Sequence, residues 1–234
     1  MVIRIWVAES NLAERCVEHL LSPLELSRAD ELTNEQVRRT FVTSRALQRV
    51  LGAQYLGTPA AQVQISRRCF HCADDDHGKP RIVAAPDLDF SVSHTGDIVV
   101  LAASTEARVG VDAEVGSRTI EIDDMARVVA SESERRSLAP ESRESLRRAL
   151  FRMWARKEAT VKLTGHGLRK VPFTGLSVDG PVARIDAPPA GWPKEDIYLT
   201  DLSLGYGCVA ALATTEPQQE VAIVRLARVA DLSL

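Results

Sequence analysis

Two hydrophobic periods alternate along this chain. Val2, Ile3, Ile5, Trp6 and Val7 crowd its start and predict a strand over Val2–Ala8. Leu12, Cys16, His19 and Leu20 then recur at helical steps, up to Ser22 and Pro23. A second helical pattern runs from Leu26 to Gly52. After a loop-rich stretch at 57–81, Phe90–Gly96 leads into an apolar run over Ile98–Ala103. Arg108–Glu114 reads as a further strand, and the turn residues Ser104, Thr105 and Glu106 predict a hairpin joining the two. Ile122–Val129 and Ser131–Leu138 are helical. The second of these opens with Ser131 and Glu134, three residues apart in the form of a capping box.

The longest periodic element comes next. Leu146, Leu150, Met153, Trp154 and Val161 set an apolar stripe along one helix from Leu146 to Gly165, with Gly165 and Gly167 marking its stop. At about 100° per residue, Trp154, Glu158 and Lys162 fall on neighbouring edges of one face, with Lys157 on the other flank. Beyond Gly167 the pattern is β: Phe173–Val178, Ala183–Ala187, Ile197–Ser203, Tyr206–Ala213 and Val221–Val229, with a surface loop over Pro188–Pro193. Helices and strands are mixed rather than strictly alternating, which predicts an α+β fold over a parallel α/β one. The two halves match in length and element content and divide near residues 104–107, giving lobes 1–105 and 106–234.

Composition narrows the class. The chain has 234 residues, 45% hydrophobic and 26% charged, with net charge −3. That is ordinary for a globular protein and excludes a broad basic nucleic-acid footprint. No apolar run approaches the roughly 18 residues that span a membrane, and the first residues read as a strand rather than a signal peptide. A cytoplasmic protein with no membrane partner is expected. Four cysteines do not make a disulfide framework.

Several residue groups carry candidate chemistry. Asp112 and Glu114, two apart on a strand, point to one face. Hard oxygen ligands of this kind suit Mg²⁺, although two solvated carboxylates at a strand end are the plainer account. Arg45 and Arg49, one turn apart, give one helix edge positive charge, as a solvated face or for a phosphate-bearing partner. Ser93 and His94, at a strand start, offer a hydroxyl and a ring N–H to an anion, although a hydrogen-bonded, partly buried histidine is the commoner account. Lys79 and Pro80 follow Gly78 on a stiff turn. Cys69 and Cys72, with His71 and His77 nearby, supply three ligands where tetrahedral structural zinc wants four, so cysteines without a metal are favoured. Cys16 and Cys208 read as core thiols.

In combination these residues are more specific. Gly110, Asp112 and Glu114, followed some forty residues later by Trp154, Lys157, Glu158 and Lys162, resemble the paired signatures of the 4′-phosphopantetheinyl transferases. Phe90, Ser93 and His94, the Gly78–Pro80 turn, and Gly165, Gly167 and Leu168 fit the larger, two-lobed, surfactin-synthetase-activating (Sfp) type, in that family's order over roughly residues 38–180. The resemblance implies two similar α+β lobes in one chain, a pseudo-dimer with coenzyme A between the lobes, acting as a monomer. It implies an Mg²⁺-dependent enzyme that moves the phosphopantetheine arm of coenzyme A onto a serine of an apo acyl or peptidyl carrier protein, releasing 3′,5′-ADP. The carrier would belong to fatty-acid, polyketide or nonribosomal peptide synthesis, with its contact on residues 115–140.

The same resemblance assigns roles. Asp112, Glu114 and Glu158 would hold Mg²⁺, and Glu158 would also accept the serine proton, directly or through water. Lys162, assisted by Lys157, would contact the reacting phosphate. Ser93 and His94 would hold the pyrophosphate and 3′-phosphate, Arg45 would pair with the 3′-phosphate, and Lys79 and Pro80 would border the adenine. Ala113 stands where a third strand acid can occur, and the family's first-helix lysines have only Arg28, Arg38 or Arg39 as substitutes. Two other classes compete: a coenzyme A or carrier-binding module without catalysis, and an Mg²⁺-dependent phosphohydrolase. Intact Asp112, Glu114, Glu158 and Lys162 weigh against the first. The absence of a second-metal motif weighs against the other.

Overall fold

A computed structural model describes residues 2–10, 17–70, 72–74, 77–115, 121–138, 142–167, 170–217 and 220–233. Of the helix expected through Leu12, Cys16, His19 and Leu20, residues 11–16 fall outside them and the end is a 3₁₀ turn over Glu18–Leu20; His71 and Leu168 also fall outside. The first sheet contains β1 (Val2–Glu9), β4 (Asp89–Thr95), β5 (Ile98–Ser104) and β11 (Glu220–Leu226), in the order β11-β1-β5-β4. The second contains β6 (Val109–Val115), β9 (Tyr198–Leu202) and β10 (Cys208–Thr214), in the order β6-β10-β9. Two short hairpins pair β2 (Ile65–Ser66) with β3 (Arg81–Ile82), and β7 (Leu176–Ser177) with β8 (Arg184–Ile185).

Alternation along the strands builds the layers. On β1, Trp6 and Ala8 face a core shared with Leu47 and Leu51 of helix α2 (Glu35–Leu56), while Ile3, Ile5 and Val7 face Val109, Val111, Ala113 and Leu212 of the other sheet. Strand β5 divides the same way: Val99 and Leu101 meet the helix, Val100 and Ala102 the second sheet. The unbroken apolar run at Ile98–Ala103 is thus a strand buried on both faces. On β10, Ala210 and Leu212 face the first sheet, and Ala211 and Ala213 face helix α5 (Arg143–Thr164). The result is a four-layer α/β/β/α stack of mixed α+β class. No helix among the described residues is long and apolar enough to cross a membrane.

Two expectations change. The helical pattern from Leu26 is broken into α1 (Pro23–Asp30) and α2, because Asn34 caps the second helix by accepting from the Val37 amide at 3.1 Å. The hairpin expected between Ile98–Ala103 and Arg108–Glu114 does not form. Strand β5 instead pairs with β4 through a turn at Gly96 (φ 53°), and β6 pairs with β10. The Ser104 hydroxyl accepts from the Glu106 and Ala107 amides at 3.2 Å, which turns the chain into the second sheet. Strand β11 crosses back to lie parallel to β1, so residues 220–226 pack with the first half of the chain.

The two sheets are stitched by side chains. The amides of Val109, Val111, Ala113 and Val115 donate to Asp89 Oδ2 (2.7 Å), Ser91 Oγ (3.0 Å), Ser93 Oγ (3.3 Å) and Thr95 Oγ1 (2.9 Å). The offset is twenty residues each time, so β4 and β6 run parallel, with carboxylate and hydroxyl oxygens replacing backbone carbonyls as acceptors. This ladder fixes the register of β6, and β6 carries the two strand carboxylates.

Candidate active site

Because Val109, Val111 and Ala113 point into the core between the sheets, Gly110, Asp112 and Glu114 face α5. The helix lies directly on Gly110: a Cβ there would stand 1.9 Å from the Ala159 carbonyl oxygen and 2.6 Å from the Leu163 nitrogen, so only glycine admits this approach. Arg108, at the start of β6, donates to the Leu163 carbonyl at 3.1 Å near the helix C-terminus. Farther along the strand, Asp112 meets Lys162. Strand and helix are therefore antiparallel, and β6 advances from Asp112 to Glu114 in the direction that α5 recedes from Lys162 toward Glu158.

Asp112 is the centre of the cluster. Its Oδ1 accepts from Lys162 Nζ at 2.7 Å and from Ser93 Oγ at 2.8 Å, while Oδ2 is buried with no hydrogen-bond partner. Asp112 is 3% exposed and Glu114 7%. Lys162 keeps 30% of its side chain open to solvent, and Glu158, one helical turn before it, is half-buried. The carboxylates of Asp112, Glu114 and Glu158 do not all close to within 4.8 Å of one another; the only group of described residues that does so is a cysteine–histidine cluster elsewhere. The acid face thus holds an ammonium on its inner oxygen and a desolvated acceptor beside it.

His94 lies within the electrostatic reach of charges from both lobes. The residue is exposed, yet its imidazole is held below the ordinary histidine value, first by desolvation of the ring and then by the charge of Lys162; Asp112 opposes this and Arg45 of α2 adds to it. Arg45, His94, Asp112 and Lys162, from α2, β4, β6 and α5, therefore act on one small volume. The Arg45 guanidinium also lies over the Phe41 ring at 4.8 Å.

Other residues singled out in the sequence do different work. Lys157 is fully buried, and its ammonium donates to Glu134 Oε2 (2.5 Å), the Val129 carbonyl (2.7 Å) and the Phe173 carbonyl (2.9 Å). All three N–H donors are spent inside the second lobe, so Lys157 has none left for a phosphate and does not fit the assisting role expected of it. Arg49 is likewise internal, held by Glu25 at 2.6 Å and the Val63 carbonyl at 2.9 Å. Arg28, Arg38 and Arg39 pair with Glu31, Glu18 and Glu35 on the surface. A cavity of about 190 Å³ beside Arg152, Met153 and Arg156 opens on the face of α5 opposite Glu158 and plays no part in this cluster.

Lys79 is a lobe-spanning anchor. Its ammonium pairs with Asp89 and donates to the Val109 carbonyl at 2.8 Å, so only its stem and the half-buried Pro80 remain to border a ligand. Burial brings Lys79 down to about 8 from its ordinary 10.5, outweighing the raising pull of Asp89. Through that window the unfolded chain keeps a proton that the folded chain releases, so this group's contribution to stability rises with pH. The rise is roughly 3 kcal/mol at about 1.4 kcal/mol per pH unit. Urea unfolding at the two ends of the window is expected to show the gap between wild type and Lys79→Met widening in favour of wild type. A constant gap would mean that Lys79 titrates as an ordinary lysine.

Sequence reasoning missed the β4–β6 ladder and the Glu134–Lys157 pair. The first had a signal: Asp89, Ser91, Ser93 and Thr95 place an acceptor at every second position of one strand.

Comparison with known proteins places this arrangement. Residues 8–106 match the family described as 4′-phosphopantetheinyl transferase, N-terminal, and residues 108–203 match the 4′-phosphopantetheinyl transferase superfamily. The 4′-phosphopantetheinyl transferase HetI of Nostoc sp. is 26% identical over 218 residues, 90% of this chain and 86% of that protein. The 4′-phosphopantetheinyl transferase AcpT of Salmonella typhimurium is 32% identical over 143 residues, 61% of this chain and 69% of that protein. Sfp of Bacillus subtilis is 25% identical over 187 residues, 78% and 76% of the two chains. With both lobes matched in order, and a relative above 30% identity covered over more than two thirds of its length, this chain belongs to the 4′-phosphopantetheinyl transferase family.

Proposed function

We propose that this enzyme transfers the 4′-phosphopantetheine arm of coenzyme A to a serine of an apo acyl or peptidyl carrier protein, releasing 3′,5′-ADP. The observation that carries the site assignment is Asp112: a buried carboxylate with one oxygen clamped by Lys162 and Ser93 and the other without a partner. A desolvated carboxylate oxygen is costly unless a cation or donor meets it. Its chemistry fits Mg²⁺, which prefers hard oxygen ligands. Asp112, Glu114 and Glu158 would hold the ion, with water in place of the third strand acid that Ala113 does not supply. An ion held there would neutralise charge on the pyrophosphate oxygens.

The chain's own groups supply the rest. The serine oxygen forms a bond to the phosphorus bearing the pantetheine arm as that phosphorus parts from the bridging oxygen, whose electron pair leaves with 3′,5′-ADP. Glu158 takes the serine proton, directly or through water. Lys162, partly open to solvent, is free to exchange Asp112 for the phosphate and stabilise its charge. Ser93 and His94 face the pyrophosphate and 3′-phosphate; His94, held neutral, donates one ring N–H. Both lobes contribute to one cluster within a single chain, which supports a monomer. A cytoplasmic enzyme serving fatty-acid, polyketide or nonribosomal peptide carriers fits this reading. The carrier contact is placed on residues 115–140, of which 116–120 and 139–140 lie outside the described residues.

Incubation with coenzyme A, Mg²⁺ and an apo carrier is expected to raise the carrier's mass by one phosphopantetheine arm. An unchanged carrier with free phosphopantetheine would make the protein a hydrolase, and an unchanged carrier with intact coenzyme A a binding module. Arg45→Ala is expected to raise KM for coenzyme A by about ten- to a hundredfold, the worth of one charged hydrogen bond, and to leave dephospho-coenzyme A nearly unaffected. Equal losses for both substrates would remove Arg45 from the 3′-phosphate.

A further inference from the structure

We propose that the loop between β2 and β3 is a zinc site, with Cys69, Cys72 and His77 as its protein ligands. Among the described residues this is the group of three metal-ligating side chains whose donor atoms all lie within 4.8 Å of one another. Cys72 Sγ stands 3.0 Å from His77 Nε2, and Cys69 is 4% exposed although it sits in a loop. In tetrahedral zinc with Zn–S near 2.3 Å and Zn–N near 2.0 Å, ligand atoms are separated by about 3.5–3.8 Å. The cluster needs only a small opening of the Cys72–His77 contact to reach that geometry.

The backbone around the cluster is shaped to hold it. The Cys69 amide donates to the Asp74 carbonyl at 2.7 Å, and the Ala73 amide returns to the Cys69 carbonyl at 2.9 Å. Directly after Cys72, Ala73 adopts φ 60°, a left-handed conformation uncommon outside glycine and asparagine. Gly78 follows His77, where a Cβ would meet the Arg67 carbonyl oxygen at 2.5 Å; the Gly78 amide donates to that oxygen at 2.6 Å. The tight turn thus places His77 opposite the cysteines, with Lys79 two residues on.

Two thiolates and an imidazole form a soft donor set that selects zinc over the hard Mg²⁺ expected at the acid cluster. Among the described residues three protein ligands are in place, and tetrahedral zinc takes one ligand more. The loop would then be fastened at one end by the metal and at the other by Lys79, which bonds to Asp89 of the first lobe and the Val109 carbonyl of the second. The site does not depend on the transferase reading.

The test uses the full-length reduced protein, stripped of metal with a chelator and titrated with Co²⁺. Thiolate-to-cobalt charge-transfer absorption is expected to saturate at a single equivalent, and the protein as purified is expected to carry zinc by elemental analysis. Cys72→Ser and His77→Ala should each weaken Co²⁺ binding by at least about tenfold. Cys208→Ser, outside the loop, should leave it unchanged. A titration without a charge-transfer band overturns the proposal, as does a band that Cys72→Ser leaves intact. The wild-type titration decides the question alone should a variant fail to fold.

Discussion

Asp112→Asn and Glu158→Gln are each expected to lower the turnover of carrier loading by about 10²–10³-fold, the scale on which a single charge-stabilising group acts in a transition state. The two replacements keep shape and remove charge. In Asp112→Asn the remaining carbonyl oxygen still accepts from Ser93 and Lys162, so the β4–β6 ladder and the seat of α5 are retained. Stability should hold or rise by about 1 kcal/mol, because an ionised buried oxygen without a donor is replaced by a neutral group whose desolvation costs less. Lost activity with unchanged or improved stability is the pattern of a residue kept for function at a cost to the fold. It is checked by measuring kcat and the urea midpoint on the same preparation, and by titrating Mg²⁺, whose apparent affinity should fall with Asp112→Asn. Undiminished kcat in either variant would take that carboxylate out of the mechanism. A fall in stability that accounts for the lost activity would make its role structural.

Local patterns in this sequence carried local facts, and long-range partners decided the rest. The central helix was legible because its apolar stripe and two following glycines are read within one element; α5 begins at Arg143 and is closed by Gly165 in the left-handed region (φ 74°). That Asp112 and Glu114 share a face followed from the two-residue period of a strand. Which sheet β6 would join did not follow, since its neighbours are β10, nearly a hundred residues away, and the side chains of β4. Arg45 and Arg49 looked equivalent on one helix edge; only Glu25 and the carbonyls of the loop after α2 make Arg49 an internal residue. The Ser131–Glu134 capping box, a local pattern, is present, with Glu134 Oε2 accepting the Ser131 amide at 2.8 Å. The pattern gave no sign that the same carboxylate, 23 residues before Lys157, is that lysine's buried counterion.

That pairing separates two lysines five residues apart on one helix. Lys157→Met is expected to cost about 3–5 kcal/mol of stability, the usual result of removing one member of a buried ion pair. Both partners are wholly out of solvent. Burial pushes Lys157 below the ordinary lysine value, and the Glu134 hydrogen bond works against that push. Without the ammonium, Glu134 keeps the Ser131 and Val178 amides but loses its ion-pair partner, and the carbonyls of Val129 and Phe173 lose a donor. The joint between the end of α3 (Ile122–Val129), the start of α4 (Glu132–Ser137) and α5 should loosen. Adding Glu134→Gln to Lys157→Met should restore at least about 1 kcal/mol by neutralising the stranded carboxylate, a coupling that a double-mutant cycle in urea measures. At low temperature, where Lys157→Met is still folded, its kcat should stay within about threefold of wild type, since no reacting group has been touched. Lys162→Gln should behave in the opposite way: stability within about 1 kcal/mol of wild type, as befits a partly exposed pair, and kcat lower by about a hundredfold. If Lys157→Met instead proves as stable as wild type and loses turnover as Lys162→Gln does, its ammonium must leave Glu134 during the reaction, and the family signature would then contain two phosphate-binding lysines rather than one.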